Sequence, residues 1–283
     1  GGAIYLNREP SVLNMSGGVI SGNTATGNGG GVDIYRSGSI CNLSGGTIEN
    51  NTAGSGGGLD VIPSNAGQLK LSGAPTVRNN TVSGAANNVY LPSGKTLTIA
   101  APMELGASIG VTTGNTSYPV AFSNAYDEDY SKYFSSDDAA AEAVYKTDKK
   151  LYLDTRQYGI TISSTDGGTA SADRLRAATG TQITLTATPN EEGYHFKKWK
   201  VLSGDIAITE NSFVMPAGDV TIQAVFEEHS FTAETAEEMY LKSAADCENA
   251  AVYYKSCTVC GLSSKGTANE STFTSGDILG HDW

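Results

Sequence analysis

Apolar residues in the first hundred positions come in short clusters, alternate with polar ones, and recur at a period of roughly 28 residues. Gly1-Gly-Ala-Ile-Tyr-Leu6 returns as Gly29-Gly-Gly-Val-Asp-Ile34, as Gly56-Gly-Gly-Leu-Asp-Val61 and, degenerately, as Asn87-Asn-Val-Tyr-Leu91. Asn14-Met-Ser-Gly-Gly-Val-Ile20 returns as Asn42-Leu-Ser-Gly-Gly-Thr-Ile48, and Lys70-Leu-Ser-Gly-Ala-Pro-Thr-Val77 is a third copy with one residue inserted. Each unit holds three short apolar segments separated by Gly, Ser and Asn, too short for helices and suited to three strands with turns.

Superposing the units gives vertical columns. Ile4, Val32, Leu59 and Val89 share one, and Leu6, Ile34, Val61 and Leu91 the next. Leu13, Cys41, Leu69 and Leu97 form a third, Met15, Leu43, Leu71 and Ile99 a fourth, and Ile20, Ile48, Val77 and Leu105 a fifth. Alternation within each strand turns one face inward and the other to solvent. Like residues above and below one another predict a parallel β-helix with coils about 4.8 Å apart. Asn23, Asn51 and Asn80 also align, each followed by Thr, and amides at that spacing can hydrogen-bond along the axis at a tight corner. Cys41 falls in an inward column and reads as a small core residue. The chain starts in mid-repeat without a polar cap over its first coil, so the expectation is a piece of a longer protein.

From Val82 the pattern weakens. Residues 1–122 are assigned to the β-helix and 123–153 to a plug over its last coil, where Asp137 or Asp138 is expected to cap a short helix. Residues 154–227 again alternate at period 2 and predict a small β domain with Phe196, Trp199, Phe213 and Phe226 in its core. His195 is expected on a strand surface. Residues 228–283 form a Cys/His module.

Composition narrows the function. A net charge of −12 and an isoelectric point near 4.6 argue against nucleic-acid partners and anionic membranes. No apolar run approaches the ~18–20 residues that cross a bilayer. Abundant Gly, Ser, Thr and Asn with sparse Lys and Arg fit an exported surface protein, extracellular or at the cell surface.

Two constellations could carry chemistry. Cys247, Cys257 and Cys260 follow a C-x9-C-x2-C pattern, and a Cys-x-x-Cys-Gly turn lets two thiolates face one point. Three sulfurs leave a tetrahedral Zn2+ one ligand short, and His281 or His229 could supply it. The set taken here is Cys247, Cys257, Cys260 and His281 around a structural Zn2+, with a disulfide as the alternative. Asp33 and Asp60 share an outward column flanked by Tyr5 and Tyr90. Coil spacing would hold the carboxylates ~5 Å apart, the separation of a retaining glycosidase pair. With no histidine and only Arg8 and Arg36 nearby, this column reads as a solvated strand face, and Tyr5, Asp33, Asp60 and Tyr90 as ligand-contact candidates rather than catalysts.

Three resemblances rest on these motifs. The Gly-Gly-x-Ile/Val starts and the Leu-Ser-Gly-Gly-x-Ile segments resemble adhesin-like β-helix repeats of bacterial surface proteins, and more loosely those of chlamydial polymorphic outer-membrane proteins. Gly193-Tyr-His-Phe-Lys-Lys-Trp199 with Phe213-Val-Met-Pro-Ala-Gly-Asp-Val-Thr-Ile222 resembles the divergent B-repeat of internalin-type surface proteins, a small β-grasp-like spacer or weakly adhesive unit. Tyr254-Lys-Ser-Cys-Thr-Val-Cys-Gly261 and the closing Gly280-His-Asp-Trp283 resemble a repeat of large surface proteins from Gram-positive gut bacteria. Together these imply a mainly β chain: a right-handed parallel β-helix, a β-grasp-like domain and a zinc-ribbon-like module. The function they imply is non-enzymatic adhesion or display toward glycans or surface proteins of host or bacteria. A carbohydrate-active β-helix enzyme, a polysaccharide lyase or glycoside hydrolase, is the alternative.

Overall fold

The structure is a computed structural model that describes residues 1–62, 67–189 and 193–280. The chain divides into two units, Gly1–Arg156 and Gln157–Trp283. It is almost wholly β, and no α-helix occurs among the described residues.

The first unit is a parallel β-solenoid of about five turns. Ile4–Leu6, Val32–Ile34, Leu59–Val61, Val89–Leu91 and Ser108–Thr113 pair in parallel, superposing Ile4, Val32, Leu59, Val89 and Val111. A second ladder superposes Met15, Leu43, Leu71 and Ile99. In the third, Ile20, Ile48, Val77, Ile109 and Phe134 lie in line. The inward residues form one cluster along the axis, with Val32, Ile34, Leu59, Leu71 and Val77 fully shielded. Cys41 is enclosed there, and burial pushes its thiol up to about 12, so it acts as an apolar side chain. One predicted column needs correction: Ile109, not Leu105, stands above Val77, and Leu105 is exposed. A bulge between Ile99 and Met103 and a longer turn between Met103 and Ser108 each add two residues, which together displace the strand by four positions relative to the repeat.

One corner is held by amides. The backbone N–H and Nδ2 of Asn23 both donate to Asn51 Oδ1, those of Asn51 to Asn80 Oδ1, and those of Asn80 to Asn88 Oδ1. Asn88 donates in the same way to the two oxygens of Asp137, at 2.7 and 2.6 Å. All these amides point one way along the ladder, and a carboxylate, which only accepts, ends it. The residue before each of the first three ladder amides, Gly22, Asn50 and Asn79, has a left-handed φ of 71, 56 and 55°. Gly and Asn are the residues that adopt that conformation most readily. Gly110 has its own reason: a Cβ there would lie 2.3 Å from Asn88 Nδ2 and 2.5 Å from Asp137 Oδ1.

Asp137 is therefore not a helix cap. After a short 3-10 turn at Ser131–Tyr133, Phe134–Ser136 continues the solenoid, and Ala141–Tyr145 pairs antiparallel with Leu151–Thr155. The alanine-rich run favours helix, but packing of Phe134, Ala141, Leu151 and Leu153 into the solenoid core overrides that local preference.

The second unit begins with two sheets. Tyr158–Ser164 pairs parallel with Val220–Glu228, which pairs antiparallel with Tyr194–Ser203; Gly168–Ala172, Gln182–Pro189 and Ser212–Val214 form the other sheet. Ile160, Ile183, Leu185, Phe213, Val220 and Ile222 are its core. Phe213 and Phe226 are buried as expected, whereas Phe196 and Trp199 are half-buried and pack on each other with ring centroids 5.1 Å apart. A bulge between Phe196 and Lys198 brings these two rings to one face and leaves His195 on the other. The remaining chain adds Phe231–Ala233 paired with Ser256–Cys257, and a three-stranded antiparallel sheet of Leu241–Ser243, Ala251–Tyr254 and Thr272–Ser275.

Candidate metal centre

The antiparallel register of Tyr194–Ser203 with Val220–Glu228 sets His195 opposite Glu227, so the next residues of the second strand run past the start of the first. His229 N–H donates to Gly193 O at 2.9 Å, and the two imidazoles stack with centroids 5.1 Å apart. From His229 the chain enters Phe231–Ala233, whose partner strand Ser256–Cys257 leads into the Cys-x-x-Cys turn. That turn closes by Cys257 N–H to Leu262 O and Gly261 N–H to Cys257 O, with Gly261 at φ 73°. Tyr240 Oη donates to Gly261 O from outside it.

The outcome is four ligand atoms, one each from His195, His229, Cys257 and Cys260, all within 4.8 Å of one another. Cys260 Sγ lies 3.4 Å from His229 Nδ1. A tetrahedral Zn2+ with Zn–S of about 2.3 Å and Zn–N of about 2.0–2.1 Å spaces its ligand atoms ~3.3–3.8 Å apart, so this donor set needs only slight closure.

Two further observations fit a metal. His195 is 6% exposed, and both its ring nitrogens are buried without a hydrogen-bond partner. Leaving one such group unpaired costs about 1–3 kcal/mol, which coordination would offset. Secondly, the turn is built to hold thiolates. Burial works against the Cys257 thiolate, but the N–H groups of Cys260 and Val259, helped by His229 and the Cys260 side chain, outweigh it and lower that thiol to about 6. Cys260 is raised, by burial and by its charged neighbour, although Leu262 N–H favours its thiolate. All four cysteines are free thiols.

Of the ligands named from spacing, Cys257 and Cys260 stand in this group. Cys247 does not; it is exposed beside Asp246, whose carboxylate accepts from the N–H groups of Glu248 and Asn249. His281 lies outside the described residues, as does the rest of the closing His-Asp-Trp motif. His195, expected on a surface, is instead buried because His229 covers it. Its signal was present in the sequence: registering Tyr194-His-Phe against Phe226-Glu-Glu-His as antiparallel neighbours places the two histidines side by side.

The other constellation is also assembled, but closed. Tyr5, Asp33, Asp60 and Tyr90 superpose in consecutive coils. Asp33 and Asp60 are only 3% and 1% exposed, so the column is not a solvated strand face at its centre. The glycine segments before each strand lie over it: a Cβ on Gly56 would sit 2.6 Å from Asp60 Cβ, and one on Gly29 2.6 Å from Asp33 Cβ. Ser55 Oγ donates to Asp60 Oδ2 at 2.6 Å, and Asp33 Oδ1 has no partner. Burial raises both carboxyls, Asp60 to about 6. Tyr5 is half-exposed against Tyr35, and Tyr90 is partly buried.

Comparison with known proteins adds one segment to this picture. Residues 158–230 match the divergent InlB B-repeat domain. The match spans the two-sheet domain and ends one residue beyond His229, so both histidines lie within the B-repeat and both cysteines beyond it. No curated protein and no solved structure matches the chain. A B-repeat beside a β-solenoid fits a surface repeat protein. No helix among the described residues is long and apolar enough to cross a membrane.

Proposed function

We propose that this chain belongs to a non-enzymatic, modular cell-surface protein. Its solenoid displays repeated outward side chains, its B-repeat acts as a spacer, and a structural Zn2+ organises the segment beyond. The carrying observation is the solenoid register. Coil after coil presents equivalent polar positions, such as Asn14, Asn42 and Lys70 or Thr24, Thr52 and Thr81, while the acid pair is covered by backbone. Weak contacts repeated along one face add up through avidity without any single strong site, which suits adhesion to glycans or to proteins on host or bacterial surfaces. An exported, extracellular location follows from this reading.

Covered acids also speak against the carbohydrate-active alternative, since a glycosidase needs both carboxyls within reach of the scissile bond. Incubating the full chain with a glycan panel is expected to show weak retention and no cleavage. Cleavage that Asp33→Asn abolishes would overturn the non-enzymatic reading. Thiolate and imidazole donors in a closed four-ligand set favour Zn2+ over hard cations, with a structural role. Metal analysis of purified protein is expected to give one zinc per chain. A Cys257–Cys260 disulfide with no bound metal would sink that assignment.

A further inference from the structure

The donors of the metal group come from two different modules. His195 sits in a strand of the B-repeat and His229 directly follows its last strand, whereas Cys257 and Cys260 belong to a turn of the segment beyond it. Among the described residues that segment adds none to the B-repeat core, which is closed by Ile160, Ile183, Phe213 and Ile222 from the B-repeat itself. Among its described residues few large apolar side chains are shielded, Tyr240 being the largest of them. Between the two, a cleft of about 600 Å3 is lined by Tyr194, Glu228 and His229 of the B-repeat and by Phe231, Thr267 and Asn269 of the segment beyond it. Among the described residues, the polar contacts across the junction include Thr258 N–H to Ser230 O at 3.3 Å and Cys260 Sγ to His229 Nδ1 at 3.4 Å, the latter within the donor group itself. A joint so thinly packed would be held mainly by whatever bridges its donors.

We infer that one metal ion held by His195, His229, Cys257 and Cys260 locks the terminal Cys module onto the B-repeat, so that metal occupancy fixes the orientation of the two modules. The inference rests on the reading of this group as a zinc centre and goes beyond it. A structural zinc in a small Cys/His module ordinarily folds that module alone. Here the buried, unpartnered imidazole of His195 makes the neighbouring domain supply a ligand. The result is a stalk joint that is stiff when loaded and free to swing when stripped.

The test uses the full chain, with Co2+ as a spectroscopic stand-in and Zn2+ for the exchange measurement. The unaltered protein is expected to bind one Co2+ with the absorption of a tetrahedral two-sulfur, two-nitrogen site. His195→Ala should weaken that binding at least tenfold and shift the spectrum. Hydrogen exchange of the unaltered protein with and without Zn2+ supplies a readout that needs no variant. Metal is expected to slow exchange both in the B-repeat strand 194–203 and in the turn 257–262. Equal affinity and spectra for His195→Ala and the parent, or metal protection confined to 257–262, would overturn the lock while leaving a zinc centre in place. Failure of the unaltered chain to bind Co2+ or Zn2+ would overturn both.

Discussion

Asn80→Ala is expected to destabilise the solenoid by roughly 3–5 kcal/mol, the cost of leaving two or three buried polar groups without partners. Asn80 is fully enclosed. Its Oδ1 accepts from Asn51 N–H at 3.0 Å and Asn51 Nδ2 at 2.9 Å, while its Nδ2 donates to the carbonyls of Ile48 and Arg78 at 2.9 and 2.8 Å and to Asn88 Oδ1. Alanine removes all five contacts in a place water cannot enter. Asn51 Nδ2 keeps its bonds to Ile20 O and Glu49 O, but the Asn51 N–H loses its side-chain acceptor. Denaturant titration of the first unit's transition would read the loss as a lower midpoint at unchanged slope.

Asn23→Ala provides the contrast, because Asn23 stands at the donating end of the ladder in a partly exposed position. Asn51 Oδ1 loses the Nδ2 donor but keeps the Asn23 N–H, and the exposed Ser21 carbonyl loses its Nδ2 donor to solvent, so the cost should fall to about 1 kcal/mol. If the two variants cost the same, the ladder is no cooperative chain and each rung acts alone.

The ladder also shows where a sequence reading stops. Asn23, Asn51 and Asn80 could be aligned because each repeats the same local context, and the inward columns of Ile, Val and Leu were readable for that reason. Asn88 follows Asn80 after only eight residues, and Asp137 is 49 residues further on, so neither keeps the repeat period. Both were placed by the fold, which needs an acceptor wherever the amide row ends. Asp137 was accordingly read as a helix cap, a role its local sequence suits equally well. Counting along the repeat makes Leu105 a column member, but two extra residues in a bulge after Ile99 and two more in the following turn hand its place to Ile109.

The metal group divides in the same manner. Cys257 and Cys260 were legible because a Cys-x-x-Cys-Gly turn is a local structure whose two sulfurs converge whatever surrounds it. His229 enters only as an alternative fourth ligand and His195 not at all, because their meeting depends on a strand register that the segments Tyr194-His-Phe and Phe226-Glu-Glu-His allow but do not dictate. Cys247 entered the expected set by spacing alone, and spacing does not say which way a turn faces. In Asp33 and Asp60 the column itself was read correctly and its exposure was not. Alternation says which face a residue occupies, but not that a glycine segment will fold back across it.

That covering leads to the second large effect. Asp60→Asn is expected to stabilise the first unit by about 2–3 kcal/mol near pH 7.5, with the gain shrinking toward zero near pH 4. Burial, reinforced by the Asp33 charge and opposed by the Ser55 hydroxyl, raises the Asp60 carboxyl from 3.8 to about 6. Below pH ~4 the group is protonated whether the chain is folded or not, and it contributes nothing against folding. As pH rises through 6 the folded state must carry a buried charge that the unfolded chain holds in water, and stability falls. A shift of about two units corresponds to the stated energy at 1.36 kcal/mol per unit. Asparagine has nearly the same shape and no charge, and its Oδ1 can still accept from Ser55. The decisive measurement is the difference between variant and parent midpoints at pH 4.5, 6 and 7.5, because the chain's other carboxyls cancel in that difference. A difference that stays flat or shrinks as pH rises would mean that Asp60 is solvated after all, and the column would return to the ligand-contact surface that its sequence first suggested.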